Sequence, residues 1–133
     1  MYSAGCEIHF CYGHRLLNYQ GKCAHLHGHN AKAVIELESG ALDRQAMVLD
    51  FERIRETVGS WIEKTLDHKL LLQEKDPLVP VLKKAGEVFM VMKENPTAES
   101  IARRIFEEAR RQKLPGAKVT VWETANSFAT YKE

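Results

Sequence analysis

"NAKAVIELE", Asn30–Glu38, is the stretch that decides the fold. Ala31, Ala33, Ile35 and Leu37 fall on one parity, while Lys32, Glu36 and Glu38 take the other; this is the two-residue period of a strand with one buried and one wet face. Upstream, "EIHFCYGH" (Glu7–His14) repeats the pattern, with Ile8, Phe10, Tyr12 and His14 opposed to Glu7, His9 and Cys11. Between Glu38 and Val48, "ESGALDRQAMV" carries turn residues and reverses the chain. The period then changes. Behind Asp50, a residue suited to capping a helix, Phe51, Ile54, Val58, Trp61, Ile62 and Thr65 recur at spacings of three and four, and this helix is expected to end near "LDHKLL". A second helix follows "NPT", capped by Thr97, with Ile101, Ala102, Ile105, Phe106 and Ala109 as its apolar stripe. "LPG" stops it, and "AKVTVWET" and "SFATYK" read as two closing strands. The order β-β-α-α-β-β predicts an α+β domain: a four-stranded antiparallel sheet with both helices on one face. Residues 71–94 hold a short helix and a short extended piece that periodicity does not separate.

Composition narrows the classes. The chain has 133 residues, 44% of them hydrophobic and 28% charged, which suits one folded domain over residues 1–133 and excludes a disordered or fibrous chain. A formal net charge of +1 provides no general field for nucleic acid or an anionic membrane, so neither is an expected partner. Cys6, Cys11 and Cys23 are an odd set, so at least one thiol is free, as a reducing compartment allows. "MYSAGCEIHF" lacks the basic flank and apolar run of a secretory leader, and no segment reaches the roughly 20 apolar residues of a membrane span. The expectation is a soluble, cytoplasmic protein.

Five of the six histidines lie between His9 and His29. In "GKCAHLHGHN" (Gly21–Asn30), His27 and His29 are two apart and share the parity of Ala31 and Ile35; His14 shares that of Ile8 and Phe10. If the two strands pair, three imidazoles converge on the helix-covered face. Three neutral imidazoles suit Zn²⁺, and a fourth position left to water or substrate is the pattern of a catalytic zinc site. His9 and His25 have the wrong parity or place for the cluster.

Three further candidates follow. Cys23 is either a fourth ligand, which would close the site, or an unbound thiol acting as base near the metal. Asp67 and His68, adjacent in "LDHKLL", are either a surface pair or an oriented acid–base pair that exchanges protons with such a thiol. Glu123 shares parity with Val119 and Val121, so it is either a carboxylate aimed inward to await a ligand or an exposed residue at a frayed strand end.

"GHRL", "CAHLHGHN", "LDFERI", "LDHKLL", "NPTAES" and "WETANSFATY" together resemble, in order and spacing, the 6-pyruvoyltetrahydropterin synthase / 6-carboxytetrahydropterin synthase family, from about Phe10 to Tyr131. The resemblance implies the tunnelling fold and zinc held by His14, His27 and His29. It also implies Cys23 as catalytic base, Asp67 and His68 as its relay, and Glu123 as the anchor of a pterin ring, with Thr124 beside it. It further implies homo-oligomers, trimers or hexamers, with active sites at subunit interfaces, and 7,8-dihydroneopterin triphosphate as substrate. Three residues separate Cys23 from the H-G-H, as in the carboxy branch, whose product is 6-carboxy-5,6,7,8-tetrahydropterin on the route to queuosine and other 7-deazapurines. The alternatives are the pyruvoyl reaction, which expels triphosphate alone, and a non-catalytic zinc- or pterin-binding protein. The chain departs from the family pattern at Cys11 and Tyr12, where alanines are frequent, at Phe128, where a small residue is common, and in the length of 72–94.

Overall fold

The computed structural model describes residues 1–133. Two long strands dominate it: β1 (Tyr2–His14) and β2 (His27–Ser39), antiparallel along their whole length from Tyr2↔Ser39 to His14↔His27. A helical stretch follows: α1 comprises Phe51–Ile54, a π-helical turn Arg55–Gly59, and Ser60–Thr65. Then come β3 (Lys69–Gln73), α2 (Leu78–Ala85), β4 (Phe89–Met92), α3 (Ala98–Arg111), β5 (Lys118–Trp122) and β6 (Phe128–Lys132). All six strands form one sheet in the order β4-β3-β1-β2-β5-β6.

The class is α+β as read, but the sheet differs from the expectation. It is six-stranded and mixed, because β3 pairs parallel with β1 and β4 parallel with β3. The third helix and β4 come from the segment that periodicity left undivided, and β3 begins just before it, at Lys69 in the "LDHKLL" where the first helix was expected to end. The physical reason lies in "KLLLQ". Leu71 and Leu72 are adjacent and both fully buried, so β3 shows a short apolar run instead of an alternation, and such a run resembles a helix end as much as a strand. Parallel β3 and β4 need a crossover, and α2 provides it.

The anticipated caps are in place. The Asp50 carboxylate accepts from the Glu52 amide at 2.9 Å, and the Thr97 hydroxyl accepts from the Ser100 amide at 3.2 Å. The core is built from one parity of each strand: Phe10 and Tyr12 of β1, Ala31 through Leu37 of β2, and Val119 and Val121 of β5 pack under Ile54, Val58 and Ile62 of α1 and Ile101, Ile105 and Phe106 of α3. Gly59 sits where α1 crosses β1; an added Cβ would stand 3.2 Å from Ile8 Cδ1, a tight contact that the Ile8 side chain would have to relieve by a few tenths of an ångström. No helix is long and apolar enough to cross a membrane. All three cysteines are free thiols.

Candidate active site

The β1–β2 register does the assembling. His14 lies directly opposite His27, and Tyr12 opposite His29, so the parity shared with the core brings all three imidazoles to one point at the end of the strand pair. Their ring centroids are 4.5 to 5.0 Å apart, and one ring nitrogen from each lies within 4.8 Å of the others. Two backbone carbonyls set the tautomers. His14 Nδ1–H donates to the Pro96 carbonyl at 2.6 Å, and His27 Nδ1–H donates to the His25 carbonyl at 2.7 Å, so both Nε2 lone pairs face the centre. His14 Nε2 and His29 Nε2 are 3.1 Å apart. A tetrahedral ion with Zn–N bonds of about 2.0–2.1 Å would separate two ligand nitrogens by about 3.3 Å, close to that spacing.

Two observations indicate that this donor set suits a metal. His27 Nε2 is buried with no hydrogen-bond partner, an unmet demand that a native interior rarely tolerates. Burial is the largest influence on His14 and lowers its pKa despite the Pro96 carbonyl and Glu123, so the ring stays neutral and its lone pair stays available.

Glu123 completes the wall. It lies one residue beyond the last β2–β5 pair, Lys32↔Trp122, with its parity facing inward, and its Oε1 is 3.7 Å from His14 Nε2 and 3.9 Å from His29 Nε2. The buried Tyr12 hydroxyl donates to the same oxygen at 2.7 Å, and burial followed by that carboxylate pushes the phenol pKa up. Thr124 is exposed in the turn after β5, where its hydroxyl accepts from the Asn126 amide at 3.2 Å.

Asp67 and His68 form a second group. Asp67 Oδ2 is 2.8 Å from His68 Nδ1, and Oδ1 accepts from the Cys11 amide at 2.9 Å. Burial alone would raise the Asp67 pKa; the Cys11 amide and the His68 ring outweigh it and hold the carboxyl below its usual value. His68 adopts a left-handed backbone (φ 59°), with its amide donating to the Cys11 carbonyl at 2.7 Å and its ring 80% exposed. A non-glycine residue in that region is uncommon, and Asn18, Ala46 and Lys113 share it elsewhere in the chain. A cleft of about 560 Å³, lined by Cys11, Gly13, Gly28, His29 and His68 among others, runs between this pair and the histidine cluster.

Cys23 sits on a single 3₁₀ turn, Lys22–Ala24, whose carbonyl holds the Leu16 amide at 2.8 Å. Its thiol belongs to neither group; within one chain the cysteine gathered with Asp67 and His68 is Cys11. The structure therefore brings His14, His27, His29 and Glu123 together, and separately Asp67 with His68, while the Cys23 thiol is a member of neither cluster. Sequence reasoning marked Tyr12 only as a departure from the family pattern at the pocket, and missed its bond to Glu123 and the backbone carbonyls of Pro96 and His25 as parts of the site. "NPT" signalled a cap but not a carbonyl holding a histidine.

The sequence profile of the 6-pyruvoyl tetrahydropterin synthase family matches residues 5–133. The chain belongs to that family. Its relatives include the 6-carboxy-5,6,7,8-tetrahydropterin synthase of Rickettsia conorii, 35% identical over 129 residues that cover 92% of this chain and 94% of the relative. The enzyme of the same name from Haemophilus influenzae is 31% identical over the full length of both. An uncharacterized protein from Wolinella succinogenes superposes with a TM-score of 0.84 at 27% identity over 99% of this chain and 98% of its own. The Caenorhabditis elegans 6-pyruvoyl tetrahydropterin synthase shares the fold, with a TM-score of 0.71 at 24% identity over 99% and 95% of the two chains. Membership makes this member of the pterin synthase family an enzyme of the lyase class.

Proposed function

We propose that this pterin synthase family member is a zinc-dependent lyase that converts 7,8-dihydroneopterin triphosphate and one water to 6-carboxy-5,6,7,8-tetrahydropterin, acetaldehyde and triphosphate. The observation that carries this reading is the trio of imidazoles with inward Nε2 atoms beside the Glu123 carboxylate. His14, His27 and His29 would hold the metal, two of them with tautomers already fixed by Pro96 and His25. When bound, zinc acts as a Lewis acid that acidifies protons on neighbouring hydroxyl-bearing carbons.

The protein's own residues do the rest. Glu123 accepts hydrogen bonds from the adjacent N–H groups of the pterin edge, charge-assisted and therefore strong, and fixes which carbons lie near the histidines. Thr124, one residue on, adds a contact to the ring. Cys23, as the catalytic base, removes and returns a proton on the side chain of the substrate. His68, oriented by Asp67 through the 2.8 Å contact, takes and returns the proton on the other side. A homo-oligomer with its sites at subunit interfaces, as the family resemblance implies, would bring Cys23 of one subunit to the Asp67–His68 pair of another; grouping within one chain is not required for it. Three residues between Cys23 and His27, and relatives named for the carboxy product, favour the carboxy over the pyruvoyl reaction.

The test is to incubate zinc-loaded protein with 7,8-dihydroneopterin triphosphate and analyse the products. Formation of 6-carboxytetrahydropterin with acetaldehyde is expected. A pyruvoyl product would move the assignment to the sister reaction, and unaltered substrate would sink the reading.

A further inference from the structure

Tyr12 touches both halves of the site. Its ring lies 5.0 Å from His14, edge-on, and 5.6 Å from His29, and its body stacks on Phe10 at 5.6 Å. From there its hydroxyl reaches across 111 residues of sequence to donate to Glu123 Oε1 at 2.7 Å. The ring is only 3% exposed, so little water competes for that bond. Glu123 needs such a restraint: it stands at the last position before an exposed turn, 124–127, where a carboxylate on a flexible stem would otherwise sample several rotamers. A phenol locked by packing on one side and bonded to a carboxylate on the other converts that freedom into one orientation.

We propose that Tyr12 is a positioning residue for ligand recognition: by donating to one lone pair of Glu123 Oε1 it holds the carboxylate beside the histidine cluster, with Oε2 and the second lone pair of Oε1 left to accept from a flat heterocycle carrying adjacent N–H donors. This rests on the reading of the site as a pterin pocket. The simpler role for a buried tyrosine, a core filler with a satisfied hydroxyl, makes a different prediction, because the filler works through its ring and the positioner through its oxygen.

Tyr12→Phe separates them, since it keeps the ring and its packing on Phe10. Two probes are titrated into the full chain: neopterin into the zinc-loaded protein, followed by pterin fluorescence, and azide into the cobalt-loaded protein, followed by the visible absorption of the metal. Azide addresses the metal and has no N–H edge for Glu123 to hold. Tyr12→Phe is expected to weaken neopterin by about 10- to 100-fold, the range of a hydrogen bond to a charged group, while the azide constant stays within about twofold. Unchanged neopterin affinity overturns the proposal, and so does an equal loss for both probes, which would make Tyr12 a support of the metal site or the fold. If the unsubstituted protein binds azide but not neopterin, the pterin reading itself fails, an outcome distinct from either.

Discussion

His27 carries a demand that nothing in the chain meets: its Nδ1 is committed to the His25 carbonyl and its Nε2 is buried without a partner. A divalent ion held by Nε2 atoms relieves it, and binding that favours the folded state raises stability by mass action. Zinc at 1,000 times its dissociation constant is expected to stabilise the chain by about 4 kcal/mol, read as a rise in Tm that a chelator reverses and that His27→Ala abolishes. Cys23 tests the other half of the residue-level reading. With its thiol outside the histidine group, Cys23→Ala is expected to leave zinc stoichiometry intact and to lower kcat by 10³-fold or more, roughly the cost of deleting a catalytic nucleophile or base. Loss of zinc in that variant, measured by metal analysis, would mark Cys23 as a ligand instead. The histidine cluster was legible in the sequence because H-x-H parity and the β1–β2 pattern are local. The Tyr12–Glu123 bond was not, because it joins residues 111 apart and depends on β5 lying beside β2.

At the level of elements, the long strands, both main helices and their caps were readable because each carries a period or a capping residue of its own. The β3–α2–β4 unit was not, because its strands of five and four residues are too short to establish a period and Leu71–Leu72 breaks the alternation. What ties this unit to the site is Asp76. Its side chain is fully buried and accepts from both Arg15 Nε, at 2.8 Å, and the Leu78 amide, at 2.8 Å, so it joins the residue after His14 to the start of α2. The Arg15 guanidinium is the main reason its pKa lies below the usual carboxylate range. The sign follows: the carboxyl is depressed in the folded state, so its contribution is fully present above the unfolded value near 3.8 and is lost as pH falls through the lower folded value. Asp76→Asn leaves Arg15 facing a neutral amide. It is expected to cost about 2–4 kcal/mol at pH 7 by denaturant unfolding, somewhat under the usual figure for breaking a buried pair because Arg15 is partly exposed. The difference between variant and parent should narrow as pH drops below 3.8, and a difference that stays constant with pH would contradict the assignment.

For the whole molecule, the sheet ends in two open edges, β4 and β6, each with an apolar side chain in water: Val91 is 42% exposed and Phe128 58%. Open edges of this kind invite pairing with another strand, and a second copy of the chain is the partner that would be present at matching concentration. The division of the site leads to the same conclusion. In the proposed reaction Cys23 and His68 act on one substrate, yet within one chain the thiol gathered with Asp67 and His68 is that of Cys11. An assembly that sets the Cys23 turn of one subunit against the Asp67–His68 pair of the next meets both requirements. This makes a prediction that single variants cannot: Cys23→Ala and His68→Ala, each inactive alone, should recover activity when mixed, dissociated and reassembled. With random association, each shared site draws Cys23 from one subunit and His68 from another, so about one quarter of sites would receive both intact residues. Recovery toward that fraction of the unsubstituted rate, measured against unmixed controls, requires sites built across an interface. No recovery, in samples shown by light scattering to have exchanged subunits, would place all the catalytic groups of a site within one chain and require the Cys23 turn to close onto them.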